Sequence, residues 1–111
     1  MRNGMVERKN GTREWRLNGK LHREDGPAVE YPDGNRSWWV NGELHREDGP
    51  AIEHPDGTCM WYLNDQLHRL DGPAIEYPGY VSEWWLNGVE YTEEDFKQEL
   101  LVRKWGLSVD A

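Results

Sequence analysis

Apolar and polar positions alternate along this chain in short stretches, and the pattern returns every 23 residues. Gly11 to Asp33 reads GTREWRLNGKLHREDGPAVEYPD, Gly34 to Asp56 reads GNRSWWVNGELHREDGPAIEHPD, and Gly57 to Gly79 reads GTCMWYLNDQLHRLDGPAIEYPG. A fourth, incomplete copy runs from Tyr80 to Tyr91. Short alternating stretches bounded by turn residues predict β-strands, and no copy has room for a helix. Asn-Gly at 18–19, 41–42 and 87–88 supplies the positive φ angles of a type I′ turn, and Pro-Asp-Gly at 32–34 and 55–57 supplies another tight turn. Each copy is therefore expected to form two short strands.

A two-residue turn at Asp33-Gly34 sets Val29 opposite Trp38 and Glu30 opposite Ser37, and likewise Ile52 opposite Trp61 and Ile75 opposite Trp84. One face is then apolar in every copy. The same register would put Glu76 opposite Glu83, so a bulge is expected near Gly79 or Tyr80.

After Tyr91 the period changes. Thr92 precedes Glu93, Glu94 and Asp95; Phe96, Leu100 and Leu101 recur at helical spacing; Arg103 and Lys104 come just before Gly106. This predicts a helix from about 93 to 104 that caps the open end of the last repeat. The expected organisation is a single domain over 1–111: an N-terminal segment 1–10, full repeats 11–33, 34–56 and 57–79, a half repeat 80–91 and a capping helix 92–106. The fold class is an all-β repeat sheet of tandem hairpins with that short helix.

Composition sharpens this picture. Only 36% of residues are hydrophobic and 31% are charged, close to a disordered composition, but seven Trp, five Tyr and one Phe remain to build a core. With 13 Lys plus Arg against 21 Asp plus Glu, the net charge of −8 repels phosphate backbones and anionic lipid heads, which argues against direct nucleic-acid or membrane binding. The one cysteine, Cys59, cannot form an internal disulfide, and the N-terminal residues contain no apolar run for export. A cytoplasmic protein is expected. Residues 1–10 are polar and carry no evident cap, leaving an edge strand through which two copies would pair as a homodimer.

Comparison of the copies shows which positions the repeat holds constant: the Trp15/Trp38/Trp61/Trp84 column, the Asn of the first turn, and His-Arg-x-Asp-Gly-Pro-Ala from His22, His45 and His68. A unit with Trp-x-x-Asn-Gly-x-x-His, then an aromatic residue and Asp-Gly, resembles the MORN repeat, on the evidence of Trp15, Asn18, Gly19, His22, Tyr31, Asp33 and Gly34 and their equivalents over residues 11 to 91. The unit departs from that family after the His, where His-Gly-x-Gly becomes His22-Arg23-Glu24-Asp25-Gly26. The HREDGPA wording is similar to a variant array of small bacterial and phage proteins. The resemblance implies stacked hairpins and a non-enzymatic scaffold that binds another protein, such as a small inhibitor or adaptor acting on a bacterial host or defence-system component.

Three His at constant spacing invite a metal reading, but equivalent residues in successive hairpins lie two strands, roughly 9 to 10 Å, apart, whereas zinc ligands lie about 2 Å from the ion. His, Arg and Asp are instead expected to hydrogen-bond the long loop and the neighbouring copy. Neither a metal, a cofactor nor catalytic residues are expected: a strict repeat presents the same groups several times, while catalysis needs different groups in different roles. On the face opposite the Trp column, Trp39, Tyr62 and Trp85 form an aromatic row. The row reads either as a second buried layer, joined by Leu21, Leu44 and Leu67, or as an exposed partner-binding stripe flanked by Arg46 and Arg69. Two other functions are compatible with the residues: an acidic nucleic-acid mimic built on Glu24, Asp25, Glu30, Asp33 and their equivalents, and small-ligand binding between Trp rows.

Overall fold

The computed structural model describes residues 3–106; residues 1–2 and 107–111 of the single-domain assignment lie outside them. The chain is mostly β. Its elements are β1 (Gly4–Glu7), β2 (Arg13–Leu17), β3 (Lys20–Leu21), β4 (Val29–Glu30), β5 (Arg36–Ser37), β6 (Trp39–Val40), β7 (Glu43–Leu44), β8 (Ile52–Glu53), β9 (Cys59–Met60), β10 (Tyr62–Leu63), β11 (Gln66–Leu67), β12 (Ile75–Glu76), β13 (Trp84–Leu86), β14 (Val89–Tyr91) and helix α1 (Glu93–Trp105). All pairings among the described strands are antiparallel. One sheet runs β1-β2-β4-β5-β8-β9-β12 with β3 beside β2, while β6-β7, β10-β11 and β13-β14 form separate hairpins.

The Asn-centred turns take the expected form. Asn18 and Gly19 have φ of 53° and 79°, and Leu17 pairs with Lys20 across them. In the third copy Asp65 replaces the glycine yet keeps φ at 66°, and its carboxylate Oδ1 accepts the Leu44 N–H at 2.8 Å from the preceding hairpin. That bond offsets the cost of a left-handed non-glycine residue.

The second turn corrects the expected register. Tyr31 N–H donates to Asn35 O and Gly34 N–H to Tyr31 O, with Gly34 at φ 95° and Asp33 Oδ1 accepting the Asn35 N–H. Pro32-Asp33-Gly34 is thus a three-residue loop ending in a left-handed glycine. Val29 consequently faces Ser37 instead of Trp38, Glu30 faces Arg36 instead of Ser37, and Ile52 faces Met60 instead of Trp61. Ile75 meets Glu83 instead of Trp84, so the Glu76–Glu83 clash and its bulge are not needed. A slip of one residue moves a whole row to the other side of a sheet. Val29, Ile52 and Ile75 therefore share a face with Trp39, Tyr62 and Trp85, and the Trp38 column lies on the other.

Each long strand crosses between two ladders at its invariant Trp. Trp38 donates its N–H to Ala51 O and accepts at its C=O from His45 N–H; Trp61 does the same with Ala74 and His68. Ala28, Ala51 and Ala74 are fully buried at this crossing, where a larger side chain would separate the ladders. Val29, Ile75, Leu86 and Phe96 complete the buried apolar set among the described residues.

Residues 4–7, expected to be an uncapped polar segment, form strand β1 and pair with Arg13–Arg16. The loop between them repeats the later ones: Arg8 N–H donates to Thr12 O, Gly11 has φ 94°, and Asn10 Oδ1 accepts the Thr12 N–H. Val6-Glu7 is thus the counterpart of Val29-Glu30.

Helix α1 is held as its sequence predicts. Thr92 Oγ1 accepts the Asp95 N–H at 3.1 Å, acids fill the first turn and Arg103 and Lys104 the last, and Gly106 closes it in the left-handed conformation. It packs on β13 and β14, with Phe96 buried and its ring 4.9 Å from that of Trp84.

Candidate interaction surfaces

The His-Arg-x-Asp-Gly-Pro-Ala stretch builds one device three times. His22 Nδ1 accepts the Asn41 N–H at 3.0 Å, His45 Nδ1 that of Asn64 at 3.0 Å, and His68 Nδ1 that of Asn87 at 2.9 Å. Each imidazole thus anchors the Asn turn of the next copy, with its proton on Nε2. The following arginine lies over the indole of its own copy, Arg23 on Trp15 and Arg46 on Trp38 at 3.9 Å and Arg69 on Trp61 at 4.0 Å. Arg46 also donates to Asp48, Pro50 O and Glu53, and Arg69 to Asp71, Pro73 O and Glu76. Glycine follows because the guanidinium occupies the space of a side chain: a Cβ at Gly49 would stand 2.6 Å from Arg46 Cζ.

Arg46 and Arg69 therefore sit with the Trp38 and Trp61 column, on the side of the sheet away from Trp39, Tyr62 and Trp85. The five predicted contact residues are divided between two faces. On the first face, Trp39, Tyr62 and Trp85 are half-buried beside buried Val29 and Ile75, between the two expected extremes. The two indoles are oriented by hydrogen bonds: Trp39 Nε1 donates to Ser37 Oγ at 2.8 Å and Trp85 Nε1 to Glu83 Oε1 at 3.0 Å. Burial, with Asp65 nearby, pushes the Tyr62 hydroxyl above its usual pKa. Trp39, Leu44 and Ile52 line an open groove of about 440 Å³ rimmed by Tyr31, Asn35 and Arg36.

On the second face, the loops wall two grooves. One, of about 760 Å³, lies over Trp38 and Val40 between the Arg23–Gly26 and His45–Asp48 stretches; the next, of about 400 Å³, lies over Trp61 and Leu63 between the second and third loops. Sequence reasoning missed these grooves because it placed the arginines beside the other row. The available signal was the constant offset of eight residues from each Trp to its Arg.

Among the described residues no group of three or more His, Cys, Asp and Glu side chains could hold a metal ion, and no helix is long and apolar enough to cross a membrane. Burial and neighbouring carboxylates push the Cys59 thiol above its ordinary pKa, which keeps it protonated and poorly nucleophilic at neutral pH. No protein-family model, curated protein or solved structure significantly matches the chain.

Burial and the Arg103 charge hold the His68 pKa below the usual histidine value. The folded state thus favours neutral His68, and its contribution is complete above the unfolded value of about 6.5 and is lost as pH falls below it. The melting temperature should fall between pH 7 and 5, above the range where carboxylates titrate. His68→Asn, whose side-chain oxygen can accept the same N–H, should flatten that part of the profile. An unchanged wild-type melting temperature over this interval would refute the linkage.

Proposed function

We propose that this chain is a non-enzymatic protein-interaction module on a MORN-like repeat sheet, acting as a small inhibitor or adaptor on a bacterial partner protein. The observation that carries this reading is the row Trp39, Tyr62 and Trp85: large aromatic side chains, partly open to solvent and repeated along one face, with both indoles oriented by neighbouring side chains. Such anchors lose little conformational freedom on binding and dominate many protein interfaces. The arrangement of Arg, His and Asp supports a structural role for the groups that would otherwise suggest catalysis, because each repeats the same bonds to its own loop or to the next turn.

The test is affinity capture from bacterial lysate followed by titration of the captured protein with variants. Trp39→Ala or Tyr62→Ala should weaken binding by about 2 kcal/mol. Because Tyr62 is half-buried, its removal should also cost about 1 kcal/mol of stability. Unchanged affinity in a folded variant would move the interface off this row. Steep loss of affinity with salt would favour the acidic mimic instead, since an aromatic contact is little screened.

A further inference from the structure

The column that carries the invariant Trp is treated differently in the last copy. There is no His-Arg-x-Asp loop after Tyr91, and the chain's own helix α1 covers the site. Phe96 lies against Trp84, Leu86 is 0% exposed, and Arg103 Nη1 donates to the turn residue Asn87 at 2.7 Å. The equivalent floors, Trp38 with Val40 and Trp61 with Leu63, stay partly open at the bottom of the two grooves. In those copies Arg46 and Arg69 stack on the indoles at 3.9 and 4.0 Å, so the floor left open is Val40 or Leu63 with the uncovered part of each indole.

The walls specify charge. Around Trp38 carboxylates outnumber guanidinium groups four to two, and around Trp61 three to two. The guanidinium groups of Arg46 and Arg69 are already committed to Asp48, Glu53, Asp71 and Glu76. Among the described residues Glu24 and Glu47, with side chains 84% and 83% exposed, have only an approach of 3.5 to 3.6 Å to a histidine Nε2. Beside the resident arginine, a lysine or arginine could lay its aliphatic stem along Val40 or Leu63 and the uncovered part of the indole and place its cation between these acids.

The repeat specifies spacing. Equivalent positions lie two strands apart, about 9.6 Å at about 4.8 Å per strand. A polyproline II segment advances about 3.1 Å per residue with three residues per turn, so every third side chain returns to the same side after about 9.3 Å. Two turns of α-helix advance about 10.8 Å and one turn about 5.4 Å, a poorer match. We infer that the two loop-walled grooves bind an extended segment of a partner protein in polyproline II conformation with Lys or Arg at every third position. This rests on the reading of the chain as a protein-binding module and adds a second face and the chemistry of its occupant.

The experiment titrates the full chain at moderate salt with a synthetic peptide of four Lys-Pro-Ala triplets and with a peptide of the same composition whose lysines are clustered at one end. Saturable binding is expected for the first, with shifts of the Trp38 and Trp61 indole N–H resonances. Binding should be about five- to tenfold weaker for the clustered peptide and for the Glu24→Gln, Glu47→Gln double variant, as the loss of two exposed ion pairs implies. Tyr80→Ala, at a residue 80% exposed that lines neither groove, should bind as wild type. Absence of saturable binding, or equal affinity for the two peptides, would overturn the assignment. Loss of a captured partner on Trp39→Ala without any peptide binding would retire the grooves and leave the aromatic-row reading standing; peptide binding with no effect of Trp39→Ala on the captured partner would do the reverse.

Discussion

Trp61→Ala should destabilise the protein by about 3 kcal/mol, at the low end for a large aromatic residue because one part of the ring remains open. The loss comes from more than the indole's own contacts. Arg69 stacks on that ring at 4.0 Å while holding Asp71, the Pro73 carbonyl and Glu76, so removing the ring frees the arginine that ties the third loop down. Among the described residues no group accepts the buried indole N–H of Trp61, so this polar atom adds no hydrogen bond to the fold. Trp61→Phe keeps an aromatic face for Arg69 and should cost only about 1 kcal/mol. Urea unfolding of both variants checks the pair. Equal stability of Trp61→Ala and wild type would mean that the invariant column does not hold the ladders together.

Phe96→Ala should have a comparable effect, about 3 kcal/mol, but a more local one. Phe96 is the buried residue of α1, only 2% exposed, and it covers Trp84 in the position that an arginine takes in the other copies. The remaining helix has its cap at Thr92 and the Arg103–Asn87 bond, each worth about 1 kcal/mol or somewhat more, too little to hold thirteen residues in helix against chain entropy. The expected result is loss of helical circular dichroism before the sheet melts, with a red shift of tryptophan emission as Trp84 and Leu86 meet water. A single transition coincident for both signals would show that α1 is needed by the whole array, since repeat stability is a sum of neighbour contacts.

Much of the local structure could be read directly. The Asn-Gly pairs demand positive φ at two successive residues and so announce their turns. The run from Thr92 to Gly106 carries an N-cap, a charge gradient and a left-handed stop, which makes the helix legible to within a residue. The aromatic row was legible as residues but not as exposure: whether Trp39, Tyr62 and Trp85 are covered depends on what shares their face, and the expected register put Val29 and Ile75 on the other one. Strand β1 was overlooked because Lys9-Asn10-Gly11 lacks the proline of the later loops, although Val6-Glu7 and Gly11 already stand in the repeat's frame.

Period, Asn-Gly turns and helix ends are consequences of bonds between residues a few positions apart, and the amino acids at those positions suffice to specify them. Register, facing and cover are not of that kind. Asp33-Gly34 suits a two-residue and a three-residue loop alike, and the choice rests on the Tyr31–Asn35 pair and on how the next strand docks. That single extra residue turned the Trp column toward the arginine loops and left the Val and Ile row to form the core with its neighbours. Long-range packing selected between two locally acceptable turns, and with them the faces from which any partner must be met.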